Sequence, residues 1–316
     1  MTTFPSLQHD RPHDLGRPRS RRWRAVREWG VNCSLALCGL FSVLVTASII
    51  GVLAVEAIAF FRRPEVSATD FFFGTEWKPL LGHEKHFGIW PLVGGTLVVS
   101  LVAAAVALPI GLVTAIYLSE YARPRVRAVL KPVLELLAGV PTVVYGYFAL
   151  VAITPALQRL GDFEVYNAAS AGIAVGIMCL PIVCSMSEDA LRAVPRSLRE
   201  AAYAVGSTRL DVSLRVVVPA ALSGIIAAFL LALARAIGET MIVALAAGSL
   251  PNLTADPRQQ MQTMTGYMVQ IFLGDAPSGG VEYLSCYAVA ALLFLFTLGL
   301  TIAGHLVMKR FREAYQ

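Results

Sequence analysis

Six stretches of this chain are apolar for long enough to cross a lipid bilayer, and nothing else in the sequence constrains its fold as much. They lie at about 31–60, 91–118, 133–154, 168–187, 220–249 and 284–307. The hydrocarbon core of a membrane is about 30 Å thick and takes about 20 helical residues to cross. Within it every backbone N–H and C=O must bond inside its own segment, so such runs are helices. Composition agrees: 56% of the 316 residues are hydrophobic and only 15% are charged. The expected fold is an all-α membrane protein with six transmembrane helices.

Lys and Arg set the expected orientation. Nineteen of the 26 basic residues fall in the N-terminal tail, the loops 119–132 and 188–219, and the C-terminal tail. Six fall in the intervening loops, and Arg235 lies inside a span. This bias places both termini and the 188–219 loop in the cytoplasm, with loops 61–90 and 250–283 outside. It also accounts for the net charge of +5, so no nucleic-acid partner is implied. The expected organisation is a basic disordered tail (1–30), a first span (31–60), an outer loop (61–90), a five-helix core (91–307) and a short tail (308–316). The first run is too long for a signal peptide and shows no cleavage site. The basic tail suits contact with anionic lipid head groups of the bilayer.

Several chemistries find no support. Cys33, Cys38, Cys179, Cys184 and Cys286 sit in or beside apolar runs without CxxC spacing, and read as packing residues. The five histidines form no ligand set, so no metal site is expected. No GxxxxGK[ST] sequence occurs, so the chain has no phosphate-binding loop of its own. No nucleophile motif marks an enzyme, and no cofactor is implied.

The 188–219 loop is polar and rich in arginine. It carries Glu200-Ala201-Ala202, three further residues, Gly206, and then Val216-Val217-Val218-Pro219. Ser187–Arg199 suits a short helix with Glu188 and Asp189 near its start. A second amphipathic piece carries Glu200, Ala201 and Ala202, and Gly206 supplies a turn that a residue with Cβ resists. Two short helices around a glycine turn make a rigid knob. An ordinary surface hairpin is the plainer alternative.

The fifth run contains Arg235-Ala236-Ile237-Gly238-Glu239-Thr240. Two opposite charges thus lie near mid-membrane, where an unpaired charge costs ~2.5–3.5 kcal/mol. Spaced i, i+4, they share one helical face and partly neutralise each other. One reading is a structural ion pair that holds the bundle. The other is a translocation site of Arg235, Glu239 and Thr240, with the guanidinium offering forked donors to an oxyanion. In the third run, Pro141 predicts a kink, and Gly139 and Gly146 allow close helix contact, as a gate or as static packing.

These motifs resemble a known family. Glu200-Ala-Ala through Pro219 closely resembles the EAA loop of ABC importer permeases, with Val216 and Val218 where the consensus has Ile and Leu. Arg-Ala-Ile-Gly-Glu-Thr-Met at 235–241 resembles the phosphate importer permeases, PstC-type more than PstA-type. Gly139–Gly146 and Phe87-Gly88, Pro91 and Gly95-Thr96 resemble further motifs of the same family, over about 85–307. The resemblance implies a type I ABC importer permease fold and a transport subunit without covalent chemistry. It implies that Glu200, Ala201, Ala202 and Gly206 dock on an ATPase. The implied partners are a homologous PstA-type permease, two ATP-binding cassette ATPase subunits and an extracytoplasmic phosphate-binding protein, in a bacterial inner membrane. Two alternatives stand beside it: a permease for another oxyanion such as sulfate or molybdate, and an ion-coupled secondary transporter.

Overall fold

A computed structural model describes residues 21–79, 85–275 and 279–312. The basic tail through residue 20, parts of both outer loops (80–84 and 276–278) and residues 313–316 lie outside the described residues. The chain falls into two units, Met1–Val52 and Leu53–Gln316.

The fold is helical apart from one two-stranded hairpin. Helix α1 (Arg21–Phe61) is followed by α2 (Ala68–Phe73), strands β1 (Trp77–Lys78) and β2 (His86–Phe87), and α3 (Trp90–Ile116). Next come α4 (Pro124–Ala138), α5 (Thr142–Phe148), α6 (Thr154–Gln158) and α7 (Ala168–Ala193). Then follow α8 (Arg196–Ala204), α9 (Arg209–Asp211), α10 (Val218–Ala220) and α11 (Leu222–Ile237). Helices α12 (Met241–Ala246), α13 (Met264–Gln270) and α14 (Val281–Arg312) complete it. Wider π-type turns continue α3 through Tyr121, α5 through Ile153, α9 through Val217 and α13 through Asp275.

Among the described residues, four helical stretches are long and apolar enough to cross a membrane: Arg27–Phe61, Trp90–Tyr121, Ala168–Ala193 and Val281–Lys309. Two more candidates are bent pairs, Pro124–Ala138 with Thr142–Gln158 at 90° and Arg209–Ala220 with Leu222–Ile237 at 71°. The six apolar runs are therefore present, but two are not continuous helices. The third run was expected to be one helix kinked at Pro141. Instead α4 ends at Gly139, and Pro141 is the extended residue before α5 (φ −58°, ψ 138°). A proline disfavours helical geometry in the residue before it, so the helix stops and restarts rather than bending. The fifth run, expected to be helical over 220–249, is helical from Leu222 to Ile237 and again from Met241 to Ala246, with a break between.

The core of the second unit is α3 packed along α7, with α11 against both. Small residues make this possible: Ala103, Ala107, Ala171, Ala174, Ala232 and Ala236 are all buried at the contact. In a bilayer, where apolar association has no water to escape, such close backbone approach is what holds helices together. A separate aromatic cluster joins Phe60, Phe71, Trp77, Phe87 and Tyr267, with edge-to-face rings 5.0–6.4 Å apart. It fixes the hairpin over one end of the bundle, and this geometry suits the ring quadrupoles.

The segment 247–263 carries little helix, yet it runs against the core. Its backbone is tied by Met261 N–H to Ala247 O (3.0 Å), Ala168 N–H to Gln259 O (3.2 Å) and Ala169 N–H to Pro257 O (2.8 Å). Gly95 and Thr96 of α3 receive it. A Cβ on Gly95 would stand 2.3 Å from the Gln262 carbonyl oxygen, and Thr96 Oγ1 accepts Met264 N–H at 3.0 Å. Non-helical backbone at membrane depth is tolerated where protein covers it and its polar groups are met.

Candidate functional site

The residues singled out in the sequence gather in two places. Arg235, Glu239, Thr240 and Gly146 lie around the break between α11 and α12. Glu200, Ala201, Ala202 and Gly206 lie on and just beyond α8.

At the first place the two charges were expected on one continuous helical face. The helix instead ends between them, at Gly238. Arg235 lies in the last turn of α11, and Glu239 precedes α12. Arg235 Nη1 stands 3.3 Å from Glu239 Oε2. The second carboxylate oxygen, Oε1, accepts the backbone N–H groups of Met241 (3.2 Å) and Ile242 (3.3 Å). Glu239 thus caps the start of α12, a role that Thr240 does not take, since its hydroxyl donates to Gly238 O at 3.3 Å. Each charge sits at the helix end whose dipole favours it: the cation at a C-terminus, the anion at an N-terminus. That gives the break a physical cause.

Burial divides the pair. Glu239 is 2% exposed, whereas the Arg235 side chain is 44% exposed. Beyond Glu239, the guanidinium has one weak contact, Nη2 to Met178 Sδ of α7 at 3.7 Å. Its remaining donors are open. The Glu239 peptide is itself fixed, because Thr265 Oγ1 donates to its carbonyl at 2.7 Å. Thr265 escaped the sequence reading, since its contact joins positions 26 residues apart. Gly146 of α5 faces α12: a Cβ there would meet Ile242 Cα at 3.2 Å and Leu245 Cδ1 at 2.9 Å. Pro141 stands at the other end of α5, at the bend. The next residue pair across that bend is tied by Tyr145 Oη donating to Leu137 O at 2.8 Å.

At the second place the expected helix over Ser187–Arg199 is not formed. Helix α7 continues to Ala193, and α8 starts only after Pro195. Glu188 and Asp189 are therefore near the end of a long helix rather than the start of a short one. Glu200, Ala201 and Ala202 lie within α8, which has no buried residue. Gly206 closes it with φ +87°. Gly206 N–H bonds Tyr203 O (2.9 Å) and Ser207 N–H bonds Ala202 O (3.2 Å), a Schellman ending that needs a left-handed residue.

What holds α8 in place was not visible in the sequence. Arg199 donates to Val194 O (2.5 Å), Leu191 O (2.8 Å) and Glu120 Oε1 (3.1 Å). It satisfies the orphan carbonyls at the end of α7 and ties them to the end of α3. Arg209 adds a bond to Glu120 O and lies over the Tyr121 ring, 5.0 Å from its centroid. Ser119, Glu120, Arg192, Arg196, Glu200 and Tyr203 line the open groove beside α8, of about 600 Å³.

Among the described residues no group of three or more His, Cys, Asp or Glu comes together to hold a metal ion.

The family model for the binding-protein-dependent transport system inner membrane component matches residues 107–313. A probable ABC transporter permease protein of Bacillus subtilis (strain 168), YqgH, is 32% identical over 88% of this chain and 91% of its own. The phosphate transport system permease protein PstC of Xylella fastidiosa (strain Temecula1) is 29% identical over 78% of this chain and 80% of its own. In architecture, the crystal structure of a bacterial ABC transporter involved in the import of the acidic polysaccharide alginate contains a similar chain. Its TM-score is 0.63 at 15% identity, covering 92% of this chain and 99% of that one. The chain belongs to the family of binding-protein-dependent ABC importer permeases, and is a multi-pass inner-membrane transport subunit rather than an enzyme.

Proposed function

We propose that this chain is the PstC-type permease subunit of an ATP-driven importer that carries inorganic phosphate into the cytoplasm. The observation that carries this reading is Arg235: a half-exposed guanidinium, held in place by a buried carboxylate, at a helix break in the middle of an apolar run. A planar fork of donors fits an oxyanion bidentately. Charged groups inside a membrane segment usually face a cavity or a path. The phosphate permeases among its relatives supply the substrate class.

In this reading the chain pairs with a homologous PstA-type permease to enclose the path. A phosphate-binding protein docks on the outer loops, about 61–90 and 250–283. Two ATP-binding cassette ATPases receive α8, with Glu200, Ala201 and Ala202 at the contact and Gly206 fixing its end. Both termini are cytoplasmic, as the basic bias requires. The tail 1–30 and span 31–60 precede a core at 91–307. ATP binding and hydrolysis shift the permease pair between inward-open and outward-open states, and Pro141 and Gly146 place a stiff bend beside the path. Glu239 holds the guanidinium in position between substrate encounters, and Thr240 keeps the backbone turned at the break.

The test is reconstitution of the full complex in proteoliposomes. Uptake of radiolabelled phosphate should require ATP and binding protein, and excess sulfate or molybdate should not compete. ATP-independent uptake, or equal competition by those anions, would reject phosphate import by this mechanism. For orientation, a cysteine at Ala255 should react with an impermeant reagent added outside, and one at Val205 should not. Labelling of Val205 alone would invert the topology and remove the ATPase contact from α8.

A further inference from the structure

We propose that Glu188 is the positioning residue that gears the ATPase contact to the path, by latching α4 to α7; this rests on reading α8 as the ATPase contact. Glu188 is 1% exposed and meets two cations of α4, Arg127 Nη2 at 2.6 Å and Lys131 Nζ at 3.6 Å. Lys131 also reaches Asp189 at 3.6 Å. The motifs described above assign no role to any of these residues.

Three observations give the latch its function. First, Glu188 stands one turn before Leu191, whose carbonyl takes Arg199 of α8. A displacement of α8 is therefore passed to Glu188 through one rigid helix. Second, α4 has few other anchors, chiefly Leu137, which packs partly buried on the core and whose carbonyl takes the Tyr145 hydroxyl. The helix has no buried residue, and Leu130 and Leu134 are only partly buried against the core. A cavity of about 220 Å³ separates Lys131, Leu134, Glu135 and Ala138 of α4 from Pro181, Ile182 and Ser185 of α7. The helix has room to swing about its charged anchor. Third, α4 leads directly to the path. It meets α5 at 90°, Tyr145 ties the two across the bend, and Gly146 packs on α12, whose first turn is capped by Glu239. One chain of contacts from α8 to the Arg235 site thus runs through Glu188, α4 and α5, beside the direct contact of Arg235 with Met178 of α7. A buried carboxylate cannot be left half-paired without cost, so the latch favours discrete closed and open states over a continuum.

The experiment uses the whole reconstituted complex. Spin labels at Val129 on α4 and Ala193 on α7, both exposed, report the α4–α7 distance without substrate and without nucleotide, then with trapped ATP. We expect a shift of about 2 Å or more between those states. In Glu188→Gln the nucleotide-dependent shift should be lost, ATP hydrolysis retained, and solute carried per ATP reduced roughly tenfold. An unchanged distance in the otherwise wild-type complex would overturn the proposal, and needs no variant to fold. So would a normal uptake-to-hydrolysis ratio in Glu188→Gln, or an equal fall of uptake and hydrolysis in assembled complex. The distance does not depend on which solute is carried. A complex that moves another anion would refute phosphate import while leaving the latch standing.

Discussion

Two arginine–carboxylate pairs in this protein look alike in a list of ion pairs and are built for opposite ends. Arg199 pairs with Glu120 across 79 positions, is 16% exposed, and gives its other donors to two helix-end carbonyls. Three of its N–H donors are taken up by the fold. Arg235 pairs with a residue four positions on, is 44% exposed, and beyond that carboxylate touches only a methionine sulfur. There the carboxylate is the buried partner, with Oε1 held by two backbone N–H groups and Oε2 facing the guanidinium, while the arginine stays open. A charged group with donors to spare inside an apolar segment is free to take a ligand, as we propose for Arg235, and one with few to spare serves as a strut. The distinction rests on where the hydrogen bonds go, which spacing in the chain does not reveal.

The sharpest way to break the contrast is to remove each arginine in turn. Arg235→Gln should lower phosphate uptake about a hundredfold or more, the scale of losing a charge-assisted contact to a moving anion. The complex should still assemble, as measured by co-purification of its subunits. Lysine at 235 should rescue poorly, because it lacks the fork. If the double change Arg235→Gln with Glu239→Gln restores uptake, the pair is a strut like the other and the contrast is void.

Arg199→Gln should act in reverse. It strands Glu120 and two carbonyls, so we expect a loss of about 2–4 kcal/mol, read as a lower unfolding temperature of the complex. Uptake per assembled complex should fall less than in Arg235→Gln. A stable Arg199→Gln complex with no transport would make Arg199 the functional arginine.

Smaller effects sharpen the picture of α8. Nothing lies within 4 Å of the position a Cβ would take on Gly206, so substitution there acts through the backbone alone. Gly206→Val should cost about 1–2 kcal/mol locally and reduce ATP-driven uptake, while Gly206→Asn should be tolerated. Equal uptake by both variants would mean that the left-handed end of α8 is dispensable. Glu200 is exposed and has no ion pair among the described residues. Glu200→Lys should leave stability within about 0.5 kcal/mol and weaken ATPase binding only. Unchanged ATPase affinity in a pull-down titration would remove Glu200 from the contact.

Hydropathy revealed where the apolar segments are, because burial in lipid depends on composition over about 20 residues. It could not reveal that two of them break, because a break depends on single residues and their distant partners. Pro141 was legible as a disturbance. Whether it kinks a helix or starts one depends on the bend that Tyr145 closes with Leu137. Gly206 was legible outright, since a left-handed turn has a local cause. Glu239 was legible as a charge but not as a cap, because α12 is short and its first N–H groups lie within the same apolar run. Arg199, Thr265 and Glu188 were silent, since each acts across 26 or more positions or through a helix whose extent was misjudged. The sequence reading put Glu188 near the start of a short helix, whereas α7 continues through it and buries it.

The segment 247–263 is held mainly by its backbone, through amides and carbonyls of 167–169 and 246–247 and through the bare surface of Gly95. Such anchoring ignores side-chain identity. The route of this stretch is therefore set largely by backbone geometry, while Leu250, Leu253, Ala255 and Asp256 are exposed. An engineer can therefore write a tag, a fluorophore site or a foreign docking epitope at these exposed positions without redirecting the chain.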